Sequence, residues 1–231
     1  MSQLASRYQQ VLARVASACL ASGRAATDVE LVAITKNHPA EVVAELVDLG
    51  HRQFGENRDQ EASPKSARLA ELRPDANSTW HFVGQLQSNK VKSVLKYARV
   101  IHSIDRLSLV SELNKQLPKF DGSYSGFIEL NLTSDEGRGG VLPENLTALA
   151  ESVLALPNFE LLGVMAVAGL GMETASEFEK VLAASEKLRE LAPSASKLSI
   201  GMSEDFETAI SMGATHIRVG SAITGPRPLN P

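Results

Sequence analysis

The 231-residue sequence has little of several features that mark whole classes of protein. It contains one cysteine, Cys19, which excludes an internal disulfide framework and favours a reducing compartment. Its net charge is −4 and it has no basic block, which argues against an electrostatic nucleic-acid binder. No stretch approaches the roughly 20 apolar residues of a membrane span. We therefore expect a cytoplasmic protein with no nucleic-acid or membrane partner.

Motifs of several common enzyme classes are also missing. No G-x-G-x-x-G follows a predicted strand, and no nucleophile elbow accompanies a Ser–His–Asp order. The histidines show no metal-ligand spacing with cysteine or carboxylates, so a zinc site is not expected. The first 23 residues have helical apolar spacing interrupted by Arg7, Gln10 and Arg14, which predicts a mature N-terminal helix rather than a signal peptide.

Short apolar runs alternate with amphipathic stretches along the chain, the pattern of βαβ units and a parallel sheet. Eight such strands and their helices use almost the whole sequence. We expect one (β/α)₈ TIM barrel domain over residues 1–231 with an extra N-terminal helix, and a doubly wound open sheet is the alternative. The predicted strands are 31–35, 52–54, 80–83, 100–103, 125–130, 160–164, 197–200 and 215–219. The predicted helices are 39–49, 57–72, 88–97, 106–116, 143–155, 173–191 and 203–212.

A lysine follows the first predicted strand in the stretch "ELVAITKNHP". The run 31–34 is apolar without interruption, as in a strand buried on both faces. Pro39 then blocks further strand and favours a helix start. Lys36 is therefore placed at the carboxyl end of a buried strand, where the active sites of barrels gather.

Two segments near the C-terminus have the composition of a phosphate site. In "LSIGMSEDFETAI", Gly201 frees the backbone and Ser203 is a natural N-cap for the next helix. In "THIRVGSAITG", Gly220 and Ser221 end the last strand and let an anion reach backbone N–H groups. The loops after strands seven and eight are frequent phosphate sites in barrels of this kind.

Arg218 lies inside the last strand pattern, where alternation could direct it into the barrel. A buried arginine needs a partner, either a ligand acceptor or a carboxylate such as Glu129. A lysine and a phosphate site on one rim suggest a phosphorylated carbonyl compound held as a Schiff base. A sugar phosphate and pyridoxal phosphate (PLP) both fit, and Arg218 favours PLP because it could donate to the pyridine nitrogen.

The sequence resembles the pyridoxal phosphate homeostasis protein family, relatives of the alanine racemase N-terminal barrel. The blocks "AITKNHP", "FGENRDQE", "WHFVGQLQSNK", "IHSIDR", "GVMAVAG" and "LSIGMSEDFETAISMGATHIRVGSAITG" stand in family order between about residues 31 and 225. The resemblance implies a barrel that binds PLP as a Schiff base on Lys36 and buffers or delivers it, affecting vitamin B6 and amino-acid balance without an established reaction. We expect a monomer that passes PLP to apoenzymes requiring it.

Roles follow for the candidate residues. The phosphate would be bound by Gly201, Ser203, Gly220 and Ser221, and Arg218 would face the pyridine nitrogen. Asn57 and Met165 would lie near the ring, with His81 as a further wall residue. The functional alternatives are an amino-acid racemase, for which no tyrosine base is evident, and a Schiff-base aldolase acting on a phosphorylated sugar. The loop 133–140 departs from the family pattern, with Arg138 in place of a lysine.

Overall fold

The alternation of apolar runs and amphipathic helices closes into a cylinder in the computed structural model. The structure describes residues 1–133, 139–169 and 173–226. Within these ranges, eight parallel strands hydrogen-bond in chain order and the first pairs with the last, forming a closed barrel. The predicted barrel is confirmed and the open sheet is wrong, because β1 has strand neighbours on both sides.

The strands are β1 Glu30–Ile34, β2 Gln53–Glu56, β3 Thr79–Phe82, β4 Ala98–Ile104, β5 Tyr124–Glu129, β6 Phe159–Met165, β7 Lys197–Ser199 and β8 His216–Val219. The α-helices are α1 Gln3–Ala21, α2 Ala40–Asp48, α3 Asp59–Leu72, α4 Val91–Val94, α5 Leu107–Gln116, α6 Leu146–Leu154, α7 Thr174–Leu191, α8 Phe206–Ser211 and α9 Ser221–Thr224. None of the helices in the described ranges is long and apolar enough to cross a membrane.

Strand boundaries differ from the sequence predictions by at most two residues at either end. The second strand continues to Glu56, and α3 begins only after Arg58, so Asn57 is not the N-cap that its residue type suggests. The helix after β7 begins at Phe206 with Asp205 in the N-cap position, so Ser203 is not an N-cap either. In both places the polar residue belongs to a connection between strand and helix and is available for another role.

The core has two parts. Most buried apolar side chains lie in one large cluster that includes the strand faces packed against the helices. A smaller cluster, with Val100, Phe127 and Met165 at its centre, is separate from it. Phe127 stacks on His102 with ring centroids 4.6 Å apart, which places polar side chains beside this second cluster.

The N-terminal helix supports the end of the barrel where β8 finishes. Arg7 of α1 donates from Nε to the carbonyl oxygen of Ile223 at 2.8 Å and from Nη2 to that of Thr224 at 3.1 Å. These carbonyl groups belong to the short helix α9, whose last turn lacks partners within the helix. The predicted extra helix is therefore present, and it stabilises the connection that follows β8.

Candidate functional site

Lys36 lies in the turn directly after β1. A Cβ atom added at Gly55 would lie 2.4 Å from Ile34 Cδ1 and 2.9 Å from Val32 Cγ1, so these two side chains share a face of β1 toward β2. The lysine is half-buried, and it forms no ion pair or side-chain hydrogen bond with any described residue. Its amine is thus available at the carboxyl end of the barrel.

A second lysine takes the carboxylates near this turn. Lys65 of α3 donates from Nζ to Glu56 Oε1 at 2.6 Å, to Glu61 Oε1 at 2.8 Å and to the carbonyl oxygen of Thr35 at 2.8 Å. The Thr35 hydroxyl donates to the same Glu56 oxygen at 2.6 Å. We call these four residues the Lys65 cluster. Its hydrogen bonds join β1, β2 and α3, and they include Thr35, the residue directly before Lys36.

The cluster was not foreseen from the sequence. Lys65 lies in the middle of an amphipathic helix, where a lysine is ordinarily solvated. Here its side chain is 4% exposed and that of Glu56 is fully buried. Burial raises the pKa of Glu56, while the attraction of Lys65 and two hydrogen bonds act in the opposite direction. A lysine and a glutamate nine residues apart on different elements carried no sequence signal of contact.

Asn57 is half-buried in the connection after β2 and lies against the end of β3. A Cβ atom on Gly84 would lie 2.2 Å from the Asn57 carbonyl oxygen, so only glycine allows this approach. Asn57 lines a cleft of about 260 Å³ together with residues that include Arg58, Gln85 and Lys90. The structure thus places Asn57 on the rim of the barrel, two strands from β8.

The connection after β7 turns tightly at Gly201. Its φ is +93°, and an added Cβ atom would lie 2.6 Å from the Cβ atom of Ala209, so glycine is required. Instead of capping α8, the Ser203 hydroxyl oxygen accepts from the backbone N–H groups of Gly220 and Ala222, both at 3.3 Å. A serine hydroxyl and two backbone N–H groups from the neighbouring connection therefore converge.

This convergence lies beside the lysine-bearing strand. An added Cβ atom on Gly220 would lie 3.4 Å from the Ile34 Cβ atom, and β8 pairs with β1 through Val32 opposite Arg218. Ser221 follows Gly220 as the exposed first residue of α9. Of the predicted phosphate residues, Ser203 and Gly220 are in hydrogen-bond contact, Gly201 shapes the turn, and Ser221 stands next to them.

Arg218 is buried inside β8, at 5% exposure. It donates from Nη1 to the carbonyl oxygen and the hydroxyl of Ser199, both at 2.6 Å, and from Nη2 to the carbonyl oxygen of Ala166 at 2.9 Å. Burial lowers the pKa of Arg218 to about 10, with Glu129 and Asp205 acting against that shift, so the guanidinium is charged at neutral pH. These hydrogen bonds go to neutral oxygens and use three of its five N–H donors.

Met165 and His81 occupy different surroundings from the rim residues. Met165 is the last residue of β6 and packs with Val100 and Phe127 in the smaller core cluster. His81 is almost fully buried, with Nδ1 2.9 Å from His102 Nε2 and Nε2 2.9 Å from Gln53 Oε1. Because Gln53 is the first residue of β2, the hydrogen bond directs the His81 side chain toward the amino end of that strand. Its contact with a ligand stays a prediction.

The variant loop 133–140 is only partly covered, since residues 134–138, including Arg138, lie outside the described residues. At its edges, Thr133 donates from its backbone N–H and its hydroxyl to the Asn131 side-chain oxygen, at 2.9 and 2.8 Å. A Cβ atom on Gly139 would lie 3.4 Å from Gln85 Nε2. Both described ends of the loop therefore lie at the same rim as Asn57.

Solved structures with this geometry include close relatives and more distant enzymes. PipY of Synechococcus elongatus PCC7942, solved with PLP bound, superimposes with a TM-score of 0.81 and 34% identity, covering 96% of this chain and all of that one. Alanine racemase from Corynebacterium glutamicum superimposes with a TM-score of 0.70 at 14% identity, and this chain covers 61% of it. The second likeness concerns the fold alone.

Sequence relatives agree with the closer structural likeness. The family model described as "Alanine racemase, N-terminal domain" matches residues 13–228. The pyridoxal phosphate homeostasis protein of Pseudomonas aeruginosa is 38% identical over 227 residues, covering 98% of this chain and 97% of that protein. Its Escherichia coli K12 counterpart is 36% identical over 230 residues, covering 98% of each chain. The chain belongs to the alanine racemase N-terminal domain family and, within it, to the pyridoxal phosphate homeostasis proteins.

Proposed function

We propose that this protein binds PLP through Lys36 and serves PLP homeostasis by holding the cofactor and releasing it to other proteins. The proposal rests on the position of Lys36, which pairs with no described residue, beside the convergence of Ser203, Gly220 and Ala222, which we call the anion cradle. The Lys36 turn ends β1, and the Ser203–Gly220–Ala222 convergence ends the hydrogen-bonded neighbour β8. The PLP-bound structure of PipY, a relative at 34% identity, supports it.

The residues present fit the chemistry of the cofactor. A phosphate dianion needs hydrogen-bond donors, and the Ser203 hydroxyl, whose oxygen accepts from the Gly220 and Ala222 N–H groups, keeps its own hydrogen to donate. The nearby carboxylates of Glu56 and Glu61 are paired with Lys65. A pyridine nitrogen needs one donor, and the Arg218 guanidinium keeps two of its N–H groups beyond those used by Ser199 and Ala166.

PLP supplies an aldehyde that condenses reversibly with an amine, with release of water. Lys36 supplies that amine. Ser203, Gly220 and Ser221 would bind the phosphate, and the glycine turn at Gly201 brings Ser203 next to Gly220. Asn57, Met165 and His81 would line the space for the ring.

Arg218 limits what the site can do to a bound substrate. Its guanidinium donates and does not take up a proton near neutral pH, so it leaves a pyridine nitrogen unprotonated. An unprotonated ring withdraws electrons weakly from a carbanion. Racemases of this relationship offset that weakness with a second base, for which this sequence offers no evident tyrosine, so the combination suits a carrier of PLP better than a racemase.

We further propose that the whole chain, 1–231, works as one monomeric unit in the cytoplasm and that its partners are apoenzymes that require PLP. The cytoplasmic assignment rests on the single cysteine, which favours a reducing compartment, and the choice of partners rests on the proposed release of PLP.

Cofactor transfer and hydrogen exchange separate carrier from racemase. We expect the loaded protein to restore activity to an apoenzyme faster than its borohydride-reduced form does. We also expect negligible deuterium incorporation at Cα of alanine and serine, with an authentic alanine racemase as positive control. Rapid Cα exchange that depends on Lys36 would establish a racemase instead.

A further inference from the structure

An unbroken series of hydrogen bonds leads from Arg218 to the opposite end of the barrel. Arg218 Nη1 is 2.6 Å from Ser199 Oγ, which is 2.8 Å from His102 Nδ1. His102 Nε2 is 2.9 Å from His81 Nδ1, and His81 Nε2 is 2.9 Å from Gln53 Oε1. We call Ser199, His102, His81 and Gln53 the interior relay. Its members come from β7, β4, β3 and β2.

The hydrogen bonds of the relay have a direction because the relay begins next to Arg218, a cation that can only donate. Ser199 Oγ accepts from Arg218, so its own hydrogen goes to His102 Nδ1. His102 must then carry its hydrogen on Nε2 and donate to His81, which likewise donates from Nε2 to Gln53. The reverse order would put two donors on Ser199 Oγ and leave the hydroxyl hydrogen of a fully buried serine in need of another acceptor.

This direction requires both histidines to be neutral. An imidazolium donates from both nitrogens and would oppose a donor at one end of the chain. Burial, reinforced by repulsion from neighbouring cationic groups, lowers the pKa of His102 well below its ordinary value and that of His81 to about 3. All ring nitrogens of the pair are satisfied in one arrangement, which is the condition under which a buried polar network becomes rigid.

The interior of a (β/α)₈ barrel is ordinarily filled by branched apolar side chains. Here a polar chain occupies part of it and ends on the one side chain proposed to meet the pyridine nitrogen. We propose that His102 and Ser199, backed by His81 and Gln53, are positioning residues that fix the Arg218 guanidinium and thereby set the hydrogen bond to the ring nitrogen of bound PLP. The inference rests on the proposed function and deepens it.

Two substitutions of His102 separate positioning from simple filling of space. In His102→Phe the ring volume is retained and the acceptor for Ser199 is lost. In His102→Asn the side chain is smaller, but its oxygen can take the place of Nδ1 and accept from Ser199. If His102 positions Arg218, His102→Asn should keep the PLP affinity and the ¹⁵N chemical shift of the bound cofactor, and His102→Phe should change both. If His102 only fills space, the opposite result is expected.

The readouts are the affinity for PLP, titrated through its visible absorption, and the ¹⁵N chemical shift of ring-labelled PLP bound to the protein. We expect His102→Phe to weaken binding about fivefold to tenfold, the range for one weakened bond to a charged group, and to move the ¹⁵N resonance. His102→Asn should stay within about twofold of the parent, on the scale of a change well below 1 kcal/mol. Tyr124→Phe is the matched control, since it removes a buried hydrogen bond, from the Tyr124 hydroxyl to the carbonyl oxygen of Leu95, that no relay residue shares.

The experiment separates failure of the relay proposal from failure of the proposed function. A parent protein that binds no PLP would overturn both proposals. A parent that binds PLP, with affinity and ¹⁵N shift unchanged in His102→Phe, would overturn the relay alone. If His102→Phe does not fold, Ser199→Ala decides by the same two readouts, because it removes only the hydroxyl that joins Arg218 to the histidines.

Discussion

The protein contains two buried polar networks, and they differ in how they treat a cation. In the Lys65 cluster a buried ammonium is neutralised by Glu56 and Glu61. Among the described residues, the buried guanidinium of Arg218 beside the interior relay donates to neutral oxygens of Ser199 and Ala166, while the charges of Glu129 and Asp205 favour its charged form. The first network holds its cation in direct ion pairs, and the second holds its cation through neutral acceptors.

The difference has a consequence for the two lysines at the carboxyl end of β1. Lys65 takes the carboxylates that lie nearest to the turn, and Lys36 forms no ion pair with any described residue. A nucleophilic amine must not be held in an ion pair, and an arginine that meets a ring nitrogen must retain donors. In the proposed site, the first network would leave the Lys36 amine outside an ion pair, and the second would leave Arg218 with N–H groups to donate to the ligand.

The sharpest test of this contrast is Lys36→Ala. We expect complete loss of the covalent link to PLP with the fold retained, because Lys65 is committed to Glu56 and cannot replace the amine. Intact-mass analysis after borohydride reduction measures the pyridoxyl adduct. Lys90→Ala, a rim lysine in the Asn57 cleft, is the control and should keep the adduct. A full adduct in Lys36→Ala would place the attachment on another residue.

The next largest effect is expected from Lys65→Met. Removing one partner of a buried ion pair leaves the other without compensation, which costs about 3–5 kcal/mol of unfolding free energy. Urea unfolding measures it, and adding Glu56→Gln should restore part of the loss. Arg68→Met breaks a surface pair with Glu71 and should cost less than about 1 kcal/mol. Equal losses in the two single variants would contradict the buried role of Lys65.

A smaller effect is expected at the anion cradle. Ser203→Ala combined with Ser221→Ala should weaken PLP binding more than about tenfold, because hydrogen bonds to charged groups contribute about 1.5–3 kcal/mol each. The same titration with pyridoxal, which lacks the phosphate, should give weak binding to the parent and little further loss in the variant. Ser211→Ala, on the exposed side of α8, serves as control. Equal parent affinities for PLP and pyridoxal would place the phosphate outside this cradle.

The last expected effect is a gradual dependence of stability on pH. Burial lowers the pKa of His51 and His216 to about 4 and that of His81 to about 3, from an ordinary value near 6.5. The unfolded chain therefore binds more protons below pH 6.5, so stability is full above that pH and falls as pH drops toward 4. Each histidine contributes up to about 1.4 kcal/mol per pH unit.

Urea unfolding between pH 7 and pH 5 measures this slope. His81→Gln should make it shallower by up to one histidine's share, because glutamine does not titrate. The surface variant Arg14→Gln, which removes an exposed pair with Glu207, should leave the slope unchanged. A parent protein whose stability rises on acidification through this range would contradict neutral buried histidines.

Much of the barrel could be predicted because its signals are local. The run 31–34 is apolar without interruption, and such a strand is buried on both faces only in a parallel sheet covered by helices. The alternation of runs and helices then indicated a parallel α/β fold and favoured the barrel over the open sheet. Turn residues were less informative: Ser203 and Asn57 have ideal N-cap chemistry, yet neither caps a helix, because tertiary contacts recruited them for the connections.

The sequence by itself determined an α/β fold with eight parallel strands, the position of Lys36 after β1 and the two glycine–serine segments after β7 and β8, because each depends on periodicity or on residues close together in the chain. It favoured the closed barrel over an open sheet, and the pairing of β1 with β8 decided between them. Only the tertiary structure decided which charges meet. Lys65 and Glu56, or His102 and Ser199, are brought together by barrel closure and strand register, and separations of 9 and 97 residues leave no local pattern. Burial then decides protonation, since the desolvation that keeps His81 and His102 neutral exists only once the barrel has closed around them.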